Sequence, residues 1–458
     1  MHLLAVGGSD AGISAALRAR ELDPSVEVSV VLADEYPNFS ICGIPYLVSG
    51  EVVDWRHLAH RRREEFEALG IALLTSTTAR SIDVAGHRVL ATDAHGERVL
   101  PYDRLVVATG AVALRPPIDG LERLGARDGV HLVHTMDDAL GVLATLEGRA
   151  PERAVVVGAG YIGLEMAEAL TARGVAVSLL EALPGVLATL DGELGERVAS
   201  ELERHGVEVV TSTTATALER EGSRVVVRAL RHGSDGPPAP VEVTAGLVLV
   251  VTGVAPDVAL ARDAGATLGA RGAIRVDRRM ATGLPDVYAA GDCVVTHHAL
   301  LGETYLPLGT TAHKQGRVAG ENALGGERSF AGSLGTQVVR VFDLVAARTG
   351  VRDEEARAAG FEPVTVASSA DDHKAYYPGA TPVHVRLTGD RPTGRLLGVQ
   401  MVGAGTGAVH KRVDTAATAL FAGLGVDQVS DLDLAYTPPL GSPWDVLQVA
   451  AQRWLAER

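Results

Sequence analysis

Cysteine is almost missing from this chain: two occur in 458 residues. No disulfide framework can be built from them, so a reducing, cytoplasmic setting is the expected home. Basic charge is short as well. The formal net charge of −15 argues against nucleic acid or an anionic membrane as the main partner. No 18-residue apolar run free of charge occurs, so no membrane span is expected. The opening MHLLAVGG lacks a basic leader and reads as a strand rather than a signal peptide. Glycine, in contrast, is plentiful at 52 positions, and hydrophobic residues make up 47%. That profile of tight turns and close backbone packing points to an α/β protein, and the length calls for two or three domains.

Two glycine-rich turns stand out. In the first, an apolar strand from His2 to Val6 runs into Gly7-Gly8-Ser9-Asp10-Ala11-Gly12 and then ISAALRAREL. Strand, glycine turn and helix in that order form the phosphate-binding half of a βαβ unit. The spacing is G-x-S-x-x-G, with Ser9 in the second glycine's place. The following strand ends in Leu32 where a ribose-binding acid is expected, and Asp34 is the nearest substitute. The second turn, Gly158-Ala-Gly160-Tyr161-Ile162-Gly163, is a full G-x-G-x-x-G between four apolar residues and an amphipathic helix. Its next strand ends in Glu181, placed to accept from a ribose 2′-hydroxyl and repel a 2′-phosphate, with no Arg or Lys following. NADH is therefore expected over NADPH. Further strand ends lie at Ala108-Thr109-Gly110 and at Gly291-Asp292-Cys293. His297-His298 has no partner at metal-ligand spacing, so no metal is expected.

Cys42 sits in NFSICGIPYLVSG, punctuated by Gly43 and Pro45. A thiol at a helix start has a depressed pKa and is a nucleophile toward disulfide or persulfide sulfur. It also cycles through sulfenic acid with peroxide.

These five ordered motifs resemble the pyridine nucleotide–disulfide oxidoreductases, flavoproteins that bind two dinucleotides, and the resemblance spans essentially the whole chain. It implies two Rossmann-like dinucleotide-binding domains plus a C-terminal α/β dimerisation domain. It puts FAD on Gly7, Gly8, Ser9, Ala11 and Gly12, with Asp34, Ala108, Thr109, Gly110, Gly291 and Asp292. NADH falls on Gly158, Gly160, Tyr161, Ile162, Gly163 and Glu181, and Gly253 joins the cofactor-binding set. The position five after Cys42 is Leu47, so the two-cysteine relay of the larger members is impossible. FSICGIPY instead resembles the single-cysteine branch: coenzyme A-disulfide reductases, persulfide reductases, NADH oxidases and peroxidases. In the oxidases and peroxidases a histidine stands where this chain has Asp10. Cys293 is expected to pack as a small apolar residue.

The segments AYYPG and AYTPP resemble the tyrosine segments of the coenzyme A-disulfide reductases. This resemblance gives Tyr377 and Tyr436 catalytic roles, with the second tyrosine serving the other protomer of a homodimer. It places Asp10, Asn38 and Ser40 around the substrate, and Arg18 and Arg20 toward a coenzyme A phosphate. Expected domains are 1–112 with 246–325 for FAD, 113–245 for NADH, and 326–458 for dimerisation, with a helix from Thr406 to Gly423 and an exposed hairpin loop at 232–240. The activity implied is NAD(P)H-dependent, FAD-mediated reduction of a small disulfide or persulfide. An oxidase or peroxidase with a Cys42 sulfenate, and a redox sensor without turnover, remain alternatives.

Overall fold

The structure, a computed structural model, describes residues 1–233 and 236–458. Near-continuous apolar runs form two all-parallel sheets, as expected for strands buried on both faces. The first sheet orders its strands Val287–Ala289, Arg104–Val107, His2–Val6, Glu27–Val31 and Ile71–Leu74. The second orders Glu208–Val210, Ala176–Leu180, Arg153–Val157, Leu247–Val250 and Val130–Leu132.

One boundary differs from expectation. Leu247–Val250 pairs with Ala154–Val157 inside the second sheet, so the chain returns to the first unit after Val250 and not at 246. An apolar tetrapeptide fits either sheet by composition, and only its neighbours decide. The hairpin between Arg224–Arg231 and Ala239–Ala245 is present. Ser234 and Asp235, in its loop, lie outside the described residues.

The first sheet is covered by the helix Asp10–Leu22, which packs closely on a later helix, Gly309–Ala323. Small residues permit that approach. A Cβ at Gly316 would lie 2.2 Å from the Ala11 carbonyl oxygen, and one at Gly320 2.3 Å from that of Ala15.

The C-terminal part is a five-stranded antiparallel sheet, ordered Gln337–Val341, Leu344–Gly350, Leu396–Ala404, Pro382–Asp390 and Pro363–Asp371. The helices Val409–Phe421 and Val446–Glu457 cover it. The first of these occupies the place of the helix expected at Thr406–Gly423, less its ends. Trp454, fully buried, donates its indole N–H to the Val364 carbonyl at 2.8 Å. Among the described residues, no helix is long and apolar enough to cross a membrane.

Candidate functional site

Both glycine turns are built alike. Gly7 and Gly158 have φ of +124° and +108°, and Cβ atoms at Gly12 and Gly163 would each stand 1.9 Å from the carbonyl oxygen of the turn's first glycine. In each case the strand must fold back tightly before a helix of 12 or 13 residues, whose free N–H groups then face outward. Ser9 caps the first helix without a side-chain hydrogen bond, so its hydroxyl does not close the turn. A Cβ at Gly160 would meet nothing within 4 Å, leaving room for a phosphate. Donors at both turns, and open space at the second, thus fit a dinucleotide.

A cleft of about 800 Å³ extends from the second turn to the cysteine segment. It is lined by Gly158–Ile162, Glu181 and Gly253 at one end and by Ile41, Ile44 and Pro45 at the other. Glu181 accepts from the backbone N–H groups of Ala159 at 2.7 Å and Leu183 at 2.8 Å. It thereby holds the turn shut while lining the cleft. On the first sheet, Gly110 has φ +74° with open space beside it, and Thr109 donates to the Asp257 carbonyl. The N–H of Gly291 is held by Gln315 at 3.0 Å. Asp34 accepts from the Tyr36 N–H at 2.9 Å, two residues on.

Cys42 lies on a short 3₁₀ turn, Ile41–Gly43, ahead of the helix Ile44–Ser49. Arg173 anchors that helix by donating to the Val48 carbonyl at 2.7 Å. The thiol is open to solvent, yet it sits deep enough that desolvation raises its pKa. The charges of Glu165, Asp10 and Asp292 push the same way. The expected depression is therefore not produced by the chain's own atoms: a single 3₁₀ turn supplies little dipole, and the facing groups are carboxylates. Those carboxylates are themselves held back from ionising. Burial, then the nearby Glu168, lifts Glu165 to about 7 against the pull of Arg340; burial, then Asp10, lifts Asp292 to about 6. Cys293 packs with no exposure, and burial pushes its thiol to about 11. It is the small apolar residue expected.

Three residues of this site were not nominated from the sequence. Glu165 follows Tyr161 by four positions, so it shares the helix face that lines the cleft; that spacing was a usable sign. His313 and His60 had none. His313 Nε2 lies 3.4 Å from Asp10, its Nδ1 lies 2.9 Å from the Ser14 hydroxyl, and the His60 ring is 6.5 Å away, edge-on.

The nominated substrate residues are not all gathered here. Arg18 pairs with Glu321 and Glu21. Arg20 donates to the carbonyls of Leu69, Pro24 and Val26. Both guanidinium groups thus tie the first helix to its neighbours. Asn38 is buried with φ +58°, and its N–H is held by the Gly8 carbonyl at 2.7 Å; it seats the cysteine segment on the first turn. Ser40 stands at the start of the Cys42 turn. Tyr377 meets the His373 ring edge-on at 5.8 Å, and it is Tyr376 that stands beside Tyr436. All three tyrosines are exposed, and none lines the cleft of its own chain.

Two parallel sheets, each turning through glycines into a helix, with a single exposed cysteine on a segment seated on the first turn, make the frame of a two-dinucleotide redox enzyme. The chain belongs to the pyridine nucleotide-disulphide oxidoreductase family, whose model matches residues 1–316, with that family's dimerisation domain over residues 336–446. It is 35% identical over 450 residues to the CoA-dependent NAD(P)H sulfur oxidoreductase of Pyrococcus abyssi, covering 98% of this chain and 96% of that one. It is 32% identical over 456 residues to an NADH oxidase of Methanocaldococcus jannaschii, at 99% and 98% coverage. The solved NAD-dependent persulfide reductase from A. fulgidus superposes with a TM-score of 0.92 at 37% identity, covering 100% of this chain and 84% of that one.

Proposed function

We propose that the protein is an FAD-dependent, NADH-preferring reductase of a low-molecular-weight disulfide or persulfide, with Cys42 as its nucleophile. A lone thiol among three carboxylates, with Leu47 where a second cysteine would stand, is the observation that carries the reading. Such a thiol can turn over only by forming a mixed bond with an external sulfur or oxygen. FAD belongs on the first glycine turn, NADH on the second, and Glu181 takes the ribose hydroxyl. When bound, the flavin supplies a two-electron relay between nicotinamide and sulfur. The chain's own residues do the rest. Asn38 and Arg173 fix the Cys42 segment, and Glu165, protonated up to about pH 7, holds a proton beside the thiol. In a homodimer Tyr436 serves the partner's pocket.

An NADH oxidase or peroxidase is the second reading, kept by the similarity to the M. jannaschii oxidase. Anaerobic NADH consumption with coenzyme A disulfide, with a small persulfide and with peroxide separates the two. Turnover only with peroxide or in air overturns the proposal.

A further inference from the structure

We propose that His313, held between Asp10 and Ser14, is the acid that protonates the thiolate displaced from the substrate when Cys42 attacks it. The inference rests on the disulfide or persulfide reading above and adds a residue to it. Asp10 is the first residue of the opening helix, and the cysteine segment is seated on the same turn by the Asn38 N–H on the Gly8 carbonyl at 2.7 Å, with the His60 N–H on the Asn38 carbonyl at 3.0 Å. Desolvation raises the Asp10 pKa, while His313 and then His60 pull it down, so one carboxylate is flanked by two imidazoles and the cysteine. His313 approaches from the neighbouring helix Gly309–Ala323, with Nε2 3.4 Å from Asp10 and Nδ1 2.9 Å from the Ser14 hydroxyl. Its side chain keeps 47% of its exposure, so it stands at the surface and not in the core.

The chemistry balances without further reagents. Cys42 loses its proton to solvent and its Sγ attacks one sulfur of R–S–S–R′; the Sγ–S bond forms, the S–S bond breaks, and R′S⁻ leaves with the electron pair. His313 gives R′S⁻ a proton from Nε2, while Nδ1 stays hydrogen-bonded to Ser14 and the ring regains its proton from solvent. The two electrons that later cleave Cys42–S–S–R come from NADH. The carboxylates of Glu165 and Asp292 also face Cys42 and His60 faces Asp10, so pH alone would not single out His313. The leaving group does, because an aryl thiolate departs without a proton and an alkyl thiolate is helped by one.

The test compares wild type with His313→Gln, both as full-length flavin-loaded protein, using hydroxyethyl disulfide and dithiobis-nitrobenzoate. First-step exchange at Cys42 is followed by mass spectrometry without NADH, and turnover is followed with NADH. General-acid help is typically worth ~10²–10⁴-fold, so the alkyl-to-aryl rate ratio falls by about that factor in His313→Gln. Asp10→Asn shifts the same ratio in the same direction by less. An unchanged ratio, or equal loss on both probes, overturns the assignment. If wild type exchanges at Cys42 but consumes no NADH with any disulfide or persulfide, the reductase reading fails, and the exchange ratio still judges His313.

Discussion

At the scale of single residues, the cleft is a place where burial works on acids. Glu165, lifted from its ordinary 4.5 to about 7 by desolvation and Glu168, binds its proton more tightly in the folded chain than in the unfolded one. Its contribution to stability is therefore greatest below pH 4.5 and drains away as pH rises through 7. Replacing it with glutamine removes that dependence. Between pH 5 and pH 8, Glu165→Gln gains on wild type by on the order of 2–3 kcal/mol, from ~1.4 kcal/mol per pKa unit; urea unfolding at the two pH values measures it, and a constant difference refutes the assigned shift. Glu181 acts differently. It holds the Ala159 and Leu183 N–H groups, so Glu181→Ala both loosens the turn and removes the ribose acceptor. The preference expected for NADH over NADPH, read as the ratio of kcat/KM, shrinks by about 1–3 kcal/mol, roughly the cost of a lost buried polar partner at the ribose. Equal or better wild-type activity with NADPH overturns this.

At the scale of elements, the two glycine turns were legible because everything that makes them is local: strand, tight turn and helix follow one another along the chain. The same locality gives a sharp test. A methyl group at Gly163 would sit 1.9 Å from a backbone carbonyl oxygen, which no rotamer change relieves. Gly163→Ala thus distorts only the second turn: NADH affinity falls at least about tenfold, roughly 1.4 kcal/mol, while the yellow flavin stays bound. Nucleotide titration and the visible spectrum report the two separately, and loss of flavin with retained NADH binding would reverse the assignment of the turns. What the sequence hid is what crosses the chain. His313 meets Ser14 across 299 residues, and Leu247–Val250 reads the same in either sheet until its neighbours are known. The surroundings of Cys42 are of the same kind: local sequence showed a helix start, whereas the burial that raises its pKa, and then the carboxylates of Glu165, Asp10 and Asp292, come from other elements.

At the scale of the whole molecule, the tyrosines pose the remaining question. Tyr376, Tyr377 and Tyr436 are exposed on the C-terminal part, with Leu440 and Trp444 also exposed nearby in sequence, and Cys42 lies in a different part of the same chain. The family's dimerisation domain covers residues 336–446, so a second copy is the natural occupant of that face. A two-fold interface makes any contribution reciprocal: each protomer lends Tyr436 and receives one. Tyr436→Phe keeps the ring and deletes only the hydroxyl, so folding and NADH oxidation at the nucleotide cleft survive while disulfide turnover falls. The discriminating sample is a mixed dimer of Cys42→Ser and Tyr436→Phe chains. If pockets are shared, the protomer that keeps Cys42 receives an intact Tyr436 from the Cys42→Ser partner, so each mixed dimer holds one complete site and about half of wild-type turnover returns. If each chain completes its own pocket, the only cysteine present is served by the altered tyrosine. Mixing then gives no more than the mean of the two parents, and the shared site is ruled out.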